Sequence, residues 1–332
     1  MQDRDPSTVR HPSRREVVAL GVGAFVVATI PFVRSRRVKL VRRTVPVMGT
    51  IAEVGVVHGD ERYAQAAIDA AIEELRLVER LMTRFTETSE VGRANRLASR
   101  EGVAISPPTA TVIEEALRWA ESSDGAFDPC LGRVTELWDV GHRDAPPSAS
   151  DVTPLAGRRL YRALDLDRSS GGGRVRFASA DVAIDLGGIG KGYGVDRAVA
   201  VLREWGIERG LVNVGGDLYA LGESEDGDPW KVGIRSPSDP SQLAGKLEVS
   251  DGAVATSGDY LQFFRYGNKR YHHLLDPLTG APRETAEHSV TVRAESCMTA
   301  DAAATAVFGM SRASVDLLLR DRAPGSALVS AL

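Results

Sequence analysis

The chain has 332 residues, 43% of them hydrophobic and 26% charged, which allows one large or two ordinary globular domains with a packed core. Its formal net charge is −4 at pH 7, and its basic residues are concentrated near the N-terminus, which argues against nucleic acid as a partner. Two cysteines, Cys130 and Cys297, are too few for a disulfide framework or a cysteine-based zinc site, although a single bridge between them stays open.

Residues 1–43 differ in composition from the rest of the chain. Arg14 and Arg15 precede an uncharged apolar run at 17–33, and basic residues follow this run at 34–43. The pattern predicts a twin-arginine export signal or a retained membrane anchor, and the absence of an A-x-A cleavage pattern favours the anchor. More basic residues follow the apolar run than precede it. By the positive-inside rule, this difference would leave the following domain in the cytoplasm. The twin-arginine pattern places it outside, and we expect a cell-membrane protein whose domain is extracytoplasmic, with an exported and cleaved form as the alternative.

Residues 44–332 are predicted to form one α+β domain, which begins with a β-rich stretch. Apolar residues recur at steps of three and four over 61–85, which predicts a helix with one buried face. The polar segment 86–97 has a turn-like composition. Ser106 is a helix N-cap signal followed by proline, and it predicts a second helix that ends near residue 122.

The second half of the domain mixes strands and helices without regular alternation, so an α+β fold fits better than a parallel doubly wound sheet. Strands are predicted at 181–184, on both sides of a Gly-Gly-Asp break within 211–222, and at 230–235, 246–249, 271–282, 289–294 and 327–329. A hairpin tip is predicted at 169–173, a second chain break at 255–259, and helices at 195–206, 298–310 and 311–320.

The segment DLGGIGKGYG, residues 185–194, has five glycines between a predicted strand and a predicted helix. Glycines permit positive φ and close approach of the backbone to a ligand, so the segment predicts a phosphate-binding turn. No register gives the i, i+2, i+5 spacing of a dinucleotide fingerprint. A Walker A loop is excluded because Gly190-Lys191 is followed by Gly192 where that loop needs Ser or Thr. Taken alone, a tight strand-to-helix connection explains the segment equally well.

Two further groups of residues suit catalysis. Asp301 and Thr305 are four residues apart on a predicted helix and share one face, where a carboxylate and a hydroxyl suit a hard cation such as Mg²⁺. An exposed Asp and Thr on a packing helix is the alternative. His272 and His273 alternate along a strand and so face opposite sides, one as a structural residue and the other as a possible general base.

Eight segments, taken in order, resemble the ApbE family of FAD:protein FMN transferases over about residues 44–330. They are MGT at 48–50, RFTETSEVGRAN at 84–95, GAFDPCLGRVTELW at 125–138, DLGGIGKGYGVDRA at 185–198, LVNVGGDLYALG at 211–222, VATSGDY at 254–260, HLLDPLTG at 273–280 and SCMTADAAATAVF at 296–308.

The resemblance implies a Mg²⁺-dependent transfer of FMN from FAD to a Thr or Ser hydroxyl of an acceptor flavoprotein, with release of AMP. It implies metal ligation by the Gly190 carbonyl and the side chains of Asp301 and Thr305. The catalytic residues would be Asp301, Lys191 as a point charge, and His273 as the general base. Contacts to FAD are carried over onto Met48, Phe85, Ala126, Phe127, Asp128, Asp185, Lys191 and Asp276.

Three positions depart from the family pattern, which often has Thr at Cys130, Tyr at Phe85 and Ala at Gly190. An FAD pyrophosphatase, with water in place of the acceptor hydroxyl, and an FAD-binding protein without turnover are the alternatives. Retention of Asp301 and Thr305 argues against the second. The acceptor pattern D-G-x-[S/T]-G-A-T does not occur in this chain, where DGAVAT at 251–256 is the nearest string, so the acceptor is expected to be another protein.

Overall fold

A computed structural model describes residues 25–27, 38–168, 171–239 and 241–332. The α-helices are α1 Glu61–Met82, α2 Glu90–Leu97, α3 Pro107–Ser122, α4 Gly132–Trp138, α5 Ala149–Val152, α6 Gly190–Glu204, α7 Cys297–Val307 and α8 Arg312–Arg322, and a 3-10 helix spans Leu160–Ala163. The strands are β1 Phe25–Val27, β2 Lys39–Val47, β3 Thr50–His58, β4 Val103–Ile105, β5 Leu164–Asp167, β6 Gly173–Phe177, β7 Gly210–Val214, β8 Asp217–Leu221, β9 Trp230–Arg235, β10 Leu243–Val249, β11 Gly252–Gly258, β12 Phe263–Tyr266, β13 Lys269–His272, β14 Leu275–Asp276, β15 Ala281–Pro282, β16 Ser289–Ala294 and β17 Ala327–Ala331.

In the described part of the chain, the largest sheet has seven strands in the order β17-β16-β11-β8-β7-β3-β2. Each neighbouring pair is antiparallel, which confirms the predicted α+β class. Two-residue turns with positive φ connect β2 to β3 at Met48-Gly49 and β7 to β8 at Gly215-Gly216, a geometry that suits tight hairpins. The N–H of Gly215 donates to the carbonyl of Ile51, so both turns lie at the same end of the sheet.

Helices α1, α6 and α7 cover one face of this sheet. The predicted apolar stripe of α1 is buried there against Val195, Ala198 and Leu202 of α6. On the opposite face, the small sheet β1-β9-β10 packs Trp230, Val232 and Ile234 against the central strands. A further core lies under α3, α4, α8 and the sheet β4-β6-β5. Helix α6 therefore lies between α1 and α7, with its N-terminus near the hairpin turns.

The N-terminal segment is described only in part. Phe25–Val27 pairs with β9 as a short antiparallel strand, and the remainder of the predicted signal or anchor up to residue 37 lies outside the described residues. β2 begins at Lys39, within the segment that the sequence assigns to residues 1–43. None of the helices that the structure describes is both long and apolar enough to cross a membrane.

The structure corrects two element predictions. Residues 90–97 form a helix, because Ser89 caps its first turn by accepting the N–H of Gly92 at 2.9 Å, and the helix buries Val91 and Ala94. The break predicted at 255–259 is also wrong up to Gly258: β11 runs through Gly258, and both of its edges are paired over part of their length.

Two further differences concern the glycine segment and the cysteines. The strand predicted at 181–184 is reduced to one bridge between Ala183 and Leu131, and α6 starts at Gly190, inside the glycine segment. Cys130 and Cys297, both in the described part of the chain, are buried free thiols, so the bridge left open by the sequence does not form.

Candidate active site

The glycine segment and α6 lie directly against α7. A Cβ at Gly192 would be 2.3 Å from the carbonyl oxygen of Cys297 and 2.8 Å from the Cβ of Asp301. A Cβ at Gly188 would be 2.9 Å from the Cγ2 of Thr305 and 3.1 Å from the Cε2 of Phe127. These glycines are therefore required by close approach. The expected use of positive φ is wrong, since none of the five glycines in this segment has it.

Several N–H groups of the glycine segment already have acceptors. Gly187 donates to Asp185, Gly190 to the carbonyl of Leu186, and Gly192 to Oδ2 of Asp301 at 3.0 Å. These three N–H groups are not available to a phosphate. The phosphate-binding role of the segment stays a prediction, and it depends on the remaining N–H groups and on Lys191.

Lys191 lies between two buried carboxylates. Its Nζ is 2.5 Å from Oδ2 of Asp217 and 3.3 Å from both carboxylate oxygens of Asp301. Burial acts to lower the pKa of Lys191, but the charges of Asp217 and Asp301 outweigh it and hold this pKa above its usual value. Burial and the charge of Asp301 raise the pKa of Asp217, whereas Lys191 lowers it. When both carboxylates are ionised, the cluster of two carboxylates and one ammonium has a net negative charge.

Asp301 and Thr305 both lie on α7, as predicted, and the structure places them beside the glycine segment. The Thr305 hydroxyl is also 3.2 Å from Oγ of Ser257 on β11. Among the residues that the structure describes, no three His, Cys, Asp or Glu side chains are grouped as metal ligands. The predicted set needs only one carboxylate, one hydroxyl and one carbonyl oxygen. By their chemistry these hard oxygen donors suit a divalent cation such as Mg²⁺.

Charged side chains hold both ends of α7. Asp196 of α6 accepts the N–H groups of Cys297 at 2.7 Å and Met298 at 2.9 Å, and burial raises its pKa to about 6. Beyond the C-terminal end, Arg283 donates to five carbonyls: those of Leu275 at 3.2 Å, Thr305 at 3.1 Å, Ala306 at 3.3 Å, Phe308 at 2.5 Å, and Ala126. A carboxylate at the N-terminus and a guanidinium at the C-terminus both match the helix dipole. They fix the helix that carries Asp301 and Thr305.

Phe85 and Asp185, two predicted FAD contacts, both interact with Arg84, a residue that the sequence analysis did not select. Arg84 Nε is 3.2 Å from Oδ2 of Asp185, and the Arg84 guanidinium lies 4.3 Å from the centre of the Phe85 ring. The Phe85 side chain is 76% exposed. An exposed aromatic ring backed by a guanidinium is a surface on which a flat ligand can stack.

Residues 126–128 form the neighbouring wall. The Ala126 carbonyl is bound by Arg283, and the Phe127 ring lies against Gly188. Asp128 accepts the N–H of Cys130 at 2.8 Å and that of Tyr161 at 3.3 Å, and burial raises its pKa to about 6. Asp128 therefore stabilises the local loop, and its contact with FAD stays a prediction.

Two other predicted contacts lie in tight turns. Met48 is in the β2–β3 turn, where its N–H donates to Glu79 at 2.7 Å and its sulfur lies beside Gly194. Asp276 accepts the N–H of Leu278 at 2.9 Å and the hydroxyl of Thr279 at 3.3 Å, which closes the turn between β14 and β15. Hydrogen bonds fix both positions, and their contact with FAD stays a prediction.

The two histidines have different surroundings. His272 is buried, with Nε2 3.0 Å from the carbonyl of Arg283 and Nδ1 accepting the N–H of Leu274, so it is the structural histidine of the pair. His273 is half-buried, and its Nδ1 is 3.3 Å from the carbonyl of Gln262. Burial lowers the pKa of His273 to about 4; the charge of Lys191 acts in the same direction and that of Asp185 opposes it. His273 is therefore neutral at pH 7, the state that a general base requires.

The sequence analysis missed four charged residues of this site: Asp217, which it treated as a turn residue, and Arg84, Asp196 and Arg283. Arg84 and Asp196 lie inside the quoted motifs, and Arg84 is next to Phe85, which was chosen. Arg283 lies just after the turn at 276–280 and had no signal in the sequence, because all its hydrogen bonds are to backbone carbonyls.

These features define an α+β protein with a buried, acidic polar site at one end of its central sheet. The ApbE family model matches residues 48–329. A Vibrio cholerae protein named FAD:protein FMN transferase is 35% identical over 274 residues, which cover 80% of this chain and 80% of that protein. A Treponema pallidum protein of the same name is 34% identical over 303 residues, covering 86% of this chain and 83% of that protein.

Solved structures agree with these relatives. The ApbE protein of Thermotoga maritima has a TM-score of 0.79 and 31% identity, and the match covers 88% of this chain and 94% of that one. The flavin transferase ApbE of Vibrio cholerae has a TM-score of 0.73 and 31% identity, covering 86% and 91%. The chain belongs to the ApbE family, and it is an enzyme of the transferase class.

Proposed function

We propose that this enzyme transfers FMN from FAD to a Thr or Ser hydroxyl of an acceptor flavoprotein and releases AMP. The observation that carries the proposal is the packing of α7 on the glycine segment, which brings Lys191 to Asp301 and Gly188 to Thr305 in a chain whose relatives are named FAD:protein FMN transferases. The acceptor is expected to carry a D-G-x-[S/T]-G-A-T-like segment.

The residues that would hold Mg²⁺ are Asp301, Thr305 and the carbonyl of Gly190. When bound, the cation neutralises charge on pyrophosphate oxygens. Lys191 adds a second positive charge on the same side, and its ion pair with Asp217 fixes its position. A fixed charge costs no reorganisation when charge develops on the leaving AMP.

The remaining residues bind the flavin and move the proton. Phe85 and Arg84 offer a stacking surface at the mouth of the site, and Phe127 forms its inner wall. The acceptor oxygen forms a bond to the phosphorus of FMN while the bond from that phosphorus to the AMP oxygen breaks. The proton of the acceptor hydroxyl goes to His273, which is neutral because burial keeps its pKa at about 4.

Mass spectrometry combined with nucleotide analysis tests this function. The protein is incubated with FAD and Mg²⁺, with and without an acceptor domain that carries D-G-x-T-G-A-T. Covalent flavin on the acceptor together with AMP release, both abolished by EDTA, is the expected result. AMP and free FMN with no adduct would establish an FAD pyrophosphatase instead, and tight FAD binding with neither product would leave a binding protein.

We also propose that the apolar run at 17–33 keeps the enzyme on the outer side of the cell membrane, near membrane-bound acceptors. The support is the twin-arginine pattern and the absence of a cleavage pattern, and the proposal requires Phe25–Val27 to leave its pairing with β9 when the run enters the membrane. Cell fractionation followed by external protease treatment tests it. Full-length chain in the membrane fraction, degraded by protease added from outside, is expected; chain that stays protected until the membrane is opened would contradict it.

A further inference from the structure

Asp217 is a buried carboxylate in a rigid position. It follows the turn at Gly215-Gly216, and this turn is fixed by the N–H of Gly216, which donates to Oδ1 of Asn213 at 3.0 Å. The Asp217 side chain is only 2% exposed. A carboxylate placed in the interior is costly unless a partner compensates its charge.

The partner of Asp217 is Lys191, and the ammonium of this lysine lies closer to Asp217 than to Asp301. Its Nζ is 2.5 Å from Asp217 but 3.3 Å from each oxygen of Asp301. Its other contact is the Gly187 carbonyl at 3.5 Å. Without the Asp217 charge, Asp301 would be the carboxylate nearest to the ammonium, and the two would form a closer pair.

A closer pair between Lys191 and Asp301 opposes the binding of a cation at Asp301. With Asp217 present, two carboxylates and one ammonium leave a net negative charge for an incoming divalent cation. Without Asp217, the charges of Lys191 and Asp301 cancel, and the ammonium forms an ion pair with the carboxylate that the cation needs. Both effects of losing Asp217 weaken cation binding.

We propose that Asp217, at the start of β8, is a positioning residue. It binds the ammonium of Lys191 and thereby leaves the oxygens of Asp301 free to bind a divalent cation. The proposal rests on the proposed function, because the cation at Asp301 belongs to it. Asp217 acts through Lys191, so its effect on cation affinity should depend on the presence of that lysine.

A double-mutant cycle tests this dependence. Mn²⁺ alone is titrated into the full-length protein, and free Mn²⁺ is measured by electron paramagnetic resonance. Asp217→Asn is expected to weaken Mn²⁺ binding by about 10- to 100-fold. In a Lys191→Met background only the direct loss of negative charge remains, so the same substitution is expected to weaken binding at least about fivefold less than it does in the parent protein.

The matched control is Glu115→Gln, which removes another carboxylate of low exposure, paired with Arg322 away from this site, and should leave Mn²⁺ affinity unchanged. If Asp217→Asn does not fold, Asp217→Glu replaces it, because the longer side chain keeps the charge but moves it and pushes the ammonium towards Asp301.

Equal losses in both backgrounds would overturn the proposal, since Asp217 would then act on the cation directly. An unchanged affinity in Asp217→Asn, or no Mn²⁺ binding by the parent protein, would also overturn it. Flavin transfer by the parent protein is measured separately, so failure of this proposal is distinguishable from failure of the proposed function.

Discussion

The contact between α6 and α7 predicts opposite effects for two neighbouring glycine substitutions. In Gly192→Ala the new Cβ would lie 2.3 Å from the Cys297 carbonyl oxygen, whereas ordinary contacts begin at 3.4 Å, so α7 must move away by about 1 Å. The atoms in the way are backbone atoms, which cannot rotate aside. The shift also stretches the hydrogen bond from Gly192 to Asp301.

The expected loss of unfolding free energy for Gly192→Ala is about 3 kcal/mol, from overpacking together with the weakened charged hydrogen bond. Gly190→Ala is the matched control: its Cβ would meet only the Cβ of Leu186, at 3.7 Å, and its φ is not positive. Alanine favours a helix over glycine, so this variant should gain about 0.5 kcal/mol.

Equilibrium urea denaturation of the two variants and the parent protein, followed by tryptophan fluorescence, measures the difference. Mn²⁺ affinity of the folded variants shows whether the movement of α7 reaches Asp301, and we expect it to fall in Gly192→Ala alone. If Gly192→Ala were as stable as the parent protein, or if Gly190→Ala lost as much stability, the close packing of α6 on α7 would not be what requires glycine here.

Three further predictions concern the site. Arg283→Met should lower the unfolding free energy by about 3 kcal/mol in urea denaturation, because it leaves several carbonyls without a donor, whereas Arg312→Met, which loses only an exposed pair with Asp316, should change it by less than about 0.5 kcal/mol. His273→Gln should fold and bind FAD but lose flavin transfer. Because the pKa of His273 is about 4, the parent protein's transfer rate should show no histidine titration between pH 6 and 8 and should fall only as the pH approaches 4; a midpoint near the ordinary value of 6.5 would contradict the assignment. Removal of divalent cations with EDTA should stop transfer, and added Mg²⁺ should restore it; transfer that continues in EDTA would refute the cation site.

Local sequence patterns were enough for the features that depend on helix geometry. Asp301 and Thr305 share a face because residues four apart always do, and the apolar stripe of α1 predicts its burial in the same way. The hairpin at 211–222 followed from a Gly-Gly turn between two apolar runs. Helix α2 was missed because its eight residues are mostly polar and too few to show a repeating apolar pattern, and its N-cap at Ser89 lies among other polar residues.

Contacts made across the fold could not be read from spacing. Lys191 and Asp217 are 26 residues apart, and Lys191 and Asp301 are 110 apart, so their proximity depends on how α6, β8 and α7 pack. Asp217 follows Gly-Gly, where a turn-forming aspartate is expected, and nothing local shows that its carboxylate points inward. The glycine segment was correctly identified as special: its glycines allow α7 to approach, none of them uses positive φ, and its phosphate-binding role stays a prediction.

The most direct test of flavin transfer at this site is the intact mass of an acceptor domain after incubation with FAD, Mg²⁺ and either the parent enzyme or Asp301→Asn. With the parent enzyme, the acceptor should gain the mass of FMN less one water, on the threonine of its D-G-x-T-G-A-T segment. Asp301→Asn, which keeps the size of the side chain and removes its charge, should leave the acceptor unmodified. An unmodified acceptor with the parent enzyme, or equal modification by both proteins, would contradict the assignment of this site as the centre of flavin transfer.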